Sequence, residues 1–106
     1  MIDVERLKFY FETDSVFVSE HATKRFRERG IRIKDVRNAV KSGEIIEQYP
    51  DDYPYPSCLI LGTSSTSEKI HVVMSDEGTS SRIITAYFPD KAKWSDDLRT
   101  RREISK

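Results

Sequence analysis

The chain has one cysteine, Cys58, among 106 residues, so no internal disulfide can brace it. Long apolar runs are missing too. The longest, C-L-I-L at 58–61, falls far short of the roughly 20 residues that cross a bilayer as a helix. The first turn of sequence carries Asp3 and Glu5 where a secretory leader carries bases and then an apolar run. The expected setting is therefore reducing and cytoplasmic, with no membrane association. Four glycines and four prolines are present, and they form no Gly-rich phosphate loop, nucleophile elbow or dinucleotide fingerprint. Histidine is scarce: the two residues, His21 and His71, lie far apart and far from Cys58, without paired-ligand spacing. No metal and no cofactor are expected. Net charge is zero, which argues against the uniformly basic surface of a general nucleic-acid binder.

What the chain does have is enough apolar material to fold. Charged residues make up 34% and hydrophobic ones 37%, with five Phe, five Tyr and one Trp, a balance that speaks against disorder. With no repeat and no linker, the expectation is one domain over residues 1–106, a length that buries roughly two thirds of its unfolded surface. The neutral total hides a segregation of charge. Residues 19–42 hold eight bases against three acids, and residues 43–90 hold two bases against eight acids. A one-sided basic surface is compatible with that pattern, and so are ordinary solvated helix faces.

Residues 3–12 place Val4, Leu7 and Phe11 at helical spacing, and a short helix is expected there; V-F-V at 16–18 reads as a brief extended piece. Ser19 is a good N-cap and Gly30 suits a left-handed helix end, so a helix is expected over about 20–29. A second follows over about 34–42, with Ile33, Val36 and Val40 on one face and Gly43 as its stop. The period then changes to alternation. Strands are expected over about 44–49, 57–62, 69–74 and 82–88, joined by short polar turns into an antiparallel meander. Residues 95–102 have an N-cap serine, early acids and late bases, the pattern of a short C-terminal helix. The fold class is α+β: N-terminal helices packed on a four-stranded antiparallel sheet. All four prolines follow an aromatic residue. Residues 50–56 therefore form a stiff connector, and any one of these X-Pro bonds can be cis.

The chemistry-bearing residues converge on two elements. On the helix over 20–29, His21, Arg25 and Arg29 recur at i, i+4 and i+8, beside the apolar pair Ala22 and Phe26. An even-sum hairpin register would bring His71, Thr85 and Tyr87 onto one sheet face, with Arg82 on the same strand. If the helix packs on that face, the set suits metal-free RNA cleavage. One group removes the 2′-hydroxyl proton, another protonates the leaving 5′-oxygen, and arginines stabilise the charged phosphorane. The candidate catalytic residues are His21, His71 and Tyr87; Arg25, Arg29, Arg82 and Thr85 are the candidates for substrate binding. Each also has a plain structural reading, as a helix-surface ion pair or a packed strand residue.

At these residues the chain resembles an uncharacterised bacterial domain family labelled a domain of unknown function. The resemblance rests on S-E-H-A at 19–22 with Arg25 and E-R-G-I at 28–31, and on G-E-I-I-E at 43–47. It continues in Y-P-D-D at 49–52, P-Y-P-S-C-L-I-L-G at 54–62, H-V-V at 71–73, and I-I-T-A-Y at 83–87 with Pro89, Asp90 and Trp94. It implies a small α+β domain similar to RelE-like and BrnT-like toxin ribonucleases, and, by analogy, RNA as substrate and an antitoxin as protein partner. Two other outcomes fit the same residues. One is a non-enzymatic domain that binds a protein through the Tyr-Pro connector and an exposed sheet edge; the other is a relative that keeps the fold without activity.

Overall fold

In the computed structural model, which describes residues 1–102, the three helices expected before residue 43 form close to their expected spans. The Asp3 carboxylate accepts from the Glu5 amide at 3.0 Å and opens α1 (Val4–Glu12). Ser19 accepts from the Ala22 amide at 3.1 Å and opens α2 (Glu20–Arg29), which ends on Gly30 in the left-handed region, φ 68°. α3 (Ile33–Ser42) also ends at a glycine, but for a different reason than expected. Gly43 is extended, φ −102°, and a Cβ there would meet the Ala39 and Leu61 carbonyls at 2.4 and 2.5 Å. Close approach of α3 to the sheet, and not a left-handed turn, requires glycine at this position.

The sheet differs from the expected four-stranded antiparallel meander. The strands β2 (Glu44–Tyr49), β3 (Ser57–Thr63), β4 (Lys69–Ser75) and β5 (Ser81–Tyr87) do form a meander. A fifth strand, β1 (Val16–Val18), adds to the β5 edge in parallel, giving a mixed sheet of order β1-β5-β4-β3-β2. The brief extended piece expected at 16–18 is this strand, and what periodicity could not reveal is its partner. Its pairing, Val16 with Ser81 and Val18 with Ile83, is reinforced by the Ser81 amide donating to the Ser15 carbonyl at 3.0 Å.

The C-terminal helix expected over 95–102 is not formed. These residues fold instead as a strap of tight turns, closed by an antiparallel bridge between Trp94 and Arg101. Leu98 sits at φ 61°, which a right-handed helix cannot contain. The residues that mimicked caps and a helix dipole act otherwise: Arg99 pairs with Glu44, and Arg101 pairs with Glu47, both on β2.

The two faces of the sheet are buried differently. The three helices cover one face, where Leu7, Ala22, Phe26, Val36 and Val40 pack on Cys58, Ile60, Ile70, Val72, Met74, Ile83 and Ala86. The strap covers part of the other, where Trp94 and Leu98 pack on Leu59 and Leu61. Burying a large apolar side chain contributes about 1.5–3 kcal/mol, and ion pairs of Arg99 and Arg101 with β2 add to the hold of Trp94 and Leu98 on the strap. The Tyr53–Pro54 bond is cis. Among the described residues, no helix is long and apolar enough to cross a membrane.

Candidate active site at the end of β5

Register places the strand residues. His71 opposes Tyr87 and Val73 opposes Thr85, the even-sum pairing that puts these side chains on one face; then Met74 opposes Ile83, leaving Ile84 as an extra residue. The slip keeps Ile83 and Ala86 in the helix-side core while Thr85 and Tyr87 face the opposite way. His71, Thr85 and Tyr87 are therefore gathered, since of the registers open to the hairpin the even-sum one is formed.

His71 is fully buried, with both ring nitrogens engaged. Nε2 lies 2.8 Å from the Leu98 carbonyl oxygen and Nδ1 lies 3.2 Å from the Tyr87 hydroxyl. A carbonyl only accepts, so Nε2 carries the proton, and in the neutral ring Nδ1 accepts from Tyr87. The ring is held edge-on by Trp94, centroids 4.5 Å apart, and by Tyr87 at 5.3 Å. Burial depresses the His71 pKa below its ordinary 6.5, against the opposing pull of the Leu98 carbonyl and Glu47. Burial also raises the Tyr87 pKa, partly countered by Arg101 and Arg29. A protonated phenol backed by a neutral imidazole results.

The α2 helix does not pack over this face, as the RNA-cleavage set required; it packs on the other side of β5, through Ala22 and Phe26. Only its last residue reaches the site. Arg29 Nη1 donates to Thr85 Oγ1 at 3.2 Å and to the Ala86 carbonyl at 2.8 Å. Among the described residues Arg29 has no carboxylate partner. Arg25 instead pairs with Glu28 at 3.0 Å, and Arg82 with Glu77 at 3.3 Å. His21 is exposed on α2, and among the described residues no hydrogen bond joins it to His71 or Tyr87.

A cleft of about 390 Å³ opens beside Tyr87, lined by Tyr87, Phe88, Asp90, Lys93, Trp94 and Arg101. Arg101 grips both oxygens of Glu47, at 3.2 and 3.3 Å, and lies over the Trp94 ring, 4.7 Å from its centroid. Glu47 also accepts from Tyr49, whose pKa burial and this carboxylate push up to about 12. Lys93, Leu98 and Arg101 were not singled out from sequence. A usable signal existed: Trp94 and Leu98 are the only large apolar residues over 91–102, and a lone tryptophan in so polar a stretch needs a docking surface. Among the described residues no three His, Cys, Asp or Glu side chains converge as metal ligands.

A family model described as "Domain of unknown function (DUF4258)" matches residues 18–88. The chain belongs to the DUF4258 family. The DUF4258 span runs from the end of β1 through β5, and so contains Arg29, His71, Thr85 and Tyr87; the strap lies beyond it. Neither the curated proteins nor the solved structures include a match to this DUF4258 chain.

Proposed function

We propose that this DUF4258 chain is a metal-free endoribonuclease of the toxin type, working by general acid–base catalysis at Tyr87. The observation that carries the reading is the Tyr87 hydroxyl donating to a buried, neutral His71 at the edge of an open cleft. As the RNA 2′-hydroxyl attacks phosphorus, Tyr87 takes its proton and passes its own to His71 Nδ1. The bond from the 2′-oxygen to phosphorus forms and the bond to the 5′-oxygen breaks, giving a 2′,3′-cyclic phosphate and a 5′-hydroxyl. Water at the mouth of the cleft protonates the leaving oxygen, and the resulting hydroxide recovers the proton from His71 through Tyr87.

Arg29 receives the phosphate, since its fork retains donors beyond those on Thr85 and Ala86 and among the described residues no carboxylate pairs with it. Lys93 adds a cation to the cleft, which Asp90 also lines, whereas Arg101 is paired with Glu47. Proton transfer thus narrows to Tyr87 and His71. His21, Arg25 and Arg82 would contact more distant parts of an RNA chain. The resemblance of the sequence to RelE-like and BrnT-like toxins lends the reading an analogy of fold, and an antitoxin would be the protein partner. The test is RNA cleavage in EDTA by the wild-type chain, Tyr87→Phe and His21→Ala, with cleavage expected from the first and third only.

A second reading has its own support. A groove of about 460 Å³ is lined by residues including Asp52, Tyr53, Pro54, Tyr55 and Ile84, and Tyr53 is 95% exposed. Solvent-exposed aromatics on a proline-stiffened connector suit a protein-binding surface. Copurification of one protein at equal stoichiometry, lost in Tyr53→Ala, with no RNA cleavage by the wild-type chain, would favour this non-enzymatic role.

A further inference from the structure

The strap lies outside the family span, yet it supplies Lys93, Trp94 and Arg101 to the cleft and the carbonyl that holds His71. Its contact point is also its most unusual residue. Leu98 is left-handed, a conformation that residues with bulky side chains seldom adopt. Several contacts impose it. The Leu98 side chain is buried among Leu59, Leu61 and Trp94. The Leu98 amide donates to Ser95, and the Ser95 amide to Thr100, both at 2.8 Å. Ion pairs of Arg99 with Glu44 and Arg101 with Glu47 tie the following residues to β2.

We infer that Leu98 is a positioning residue: its left-handed backbone aims the carbonyl that keeps the His71 proton on Nε2, leaving Nδ1 to accept from Tyr87. The opposite tautomer would set an Nε2 lone pair against the carbonyl lone pairs. It would also turn Nδ1 into a donor, unable to take a proton from Tyr87. The strap therefore builds the site as well as covering it. The catalytic consequence rests on the ribonuclease reading above; the tautomer does not.

The positioning role and a packing role rank substitutions in opposite order. Leu98→Ile keeps the apolar volume, but β-branching disfavours the left-handed backbone; Leu98→Asn loses apolar contact and tolerates that backbone. Nitrogen-15 NMR of the full chain, with only two histidines to assign, reads which ring nitrogen is protonated. His71 should carry its proton on Nε2 in the wild-type chain and in Leu98→Asn, and populate both tautomers in Leu98→Ile. Cleavage in Leu98→Ile should fall by roughly 10²-fold, the low end of what a positioned acid–base group contributes. Retention of Nε2–H in Leu98→Ile, or its loss in Leu98→Asn, overturns the inference. Should both variants unfold, the wild-type chain decides by itself: an Nδ1–H on His71 overturns the assignment and an Nε2–H upholds it. If the tautomers behave as expected while wild-type chain cuts no RNA, only the ribonuclease reading fails.

Discussion

Replacing His71 by phenylalanine removes the polar core of the site while nearly preserving its shape. The ring is fully buried, and its edge-on contacts with Trp94 and Tyr87 are ones that a phenyl group can repeat, so the cavity cost is small. What is lost is hydrogen bonding. The Leu98 carbonyl would be left buried without a donor, at about 1–3 kcal/mol, and the Tyr87 bond would go, at roughly 0.5–1.5 kcal/mol. His71→Phe should therefore destabilise the chain by about 1.5–4.5 kcal/mol, lowering Tm by roughly 7–20 °C at this size. The effect should depend on pH. The folded pKa of His71 lies below the unfolded 6.5, so the unfolded chain binds the proton first as pH falls. The contribution of His71 is therefore complete above pH 6.5 and declines below it, towards its depressed folded value. Tyr87, Glu47 and Arg101 are the ionisable groups that face the ring. Thermal unfolding of both chains from pH 5 to 8 measures this, with the gap narrowing in acid. An unchanged Tm for His71→Phe at pH 7.5 would refute the account of a hydrogen-bonded, neutral core histidine.

Gly62→Ala should destabilise severely. A Cβ there would sit 2.1 Å from the Ala39 carbonyl oxygen and 2.7 Å from its Cα, backbone atoms that cannot swing aside, so the penalty should reach or exceed the overpacking range of about 1–3 kcal/mol, read by chemical denaturation. Asp35→Ala should cost about 1–3 kcal/mol, because the buried carboxylate accepts from the Arg32 amide at 2.8 Å and the Ser65 amide at 3.1 Å. Burial works to raise the Asp35 pKa, but the Ser65 hydroxyl and these amides outweigh it and hold it below 3.8. Its contribution should be complete above that pH and lost as pH falls through the lower folded value, a limb absent from acid titration of the variant. The acid limb of the cleavage rate should lie below pH 6.5, since proton acceptance needs neutral His71; a limb above 6.5 would contradict the relay.

The parts of this structure that were legible beforehand are those with local causes. Ser19 and Gly30 bounded α2 because caps act within one turn, and alternation grouped His71, Thr85 and Tyr87 as one face if the register was even-sum, a choice that the structure makes by pairing His71 with Tyr87. Non-local pairing was not legible. β1 joins a strand some 65 residues away through three residues, and nothing in V-F-V announces that partner. Residues 95–102 carried helix-like charge order, but Trp94 and Leu98 gain more by docking on Leu59 and Leu61, and the charges pair with β2 instead. The site was half legible for the same reason. Side chains such as Arg29, Thr85 and Tyr87 can be listed from sequence, whereas the Leu98 carbonyl is a backbone group that no residue pattern marks.

The central claim is that Tyr87, backed by His71, moves the proton in RNA cleavage. The most direct measurement is the rate at which purified wild-type and Tyr87→Phe chains cut single-stranded RNA in EDTA, with product ends identified. The account predicts 2′,3′-cyclic phosphate ends from the wild-type chain and a loss on the order of 10²–10⁴-fold in Tyr87→Phe, with folding retained. Equal rates for the two chains, or no cleavage by the wild-type chain, would contradict it.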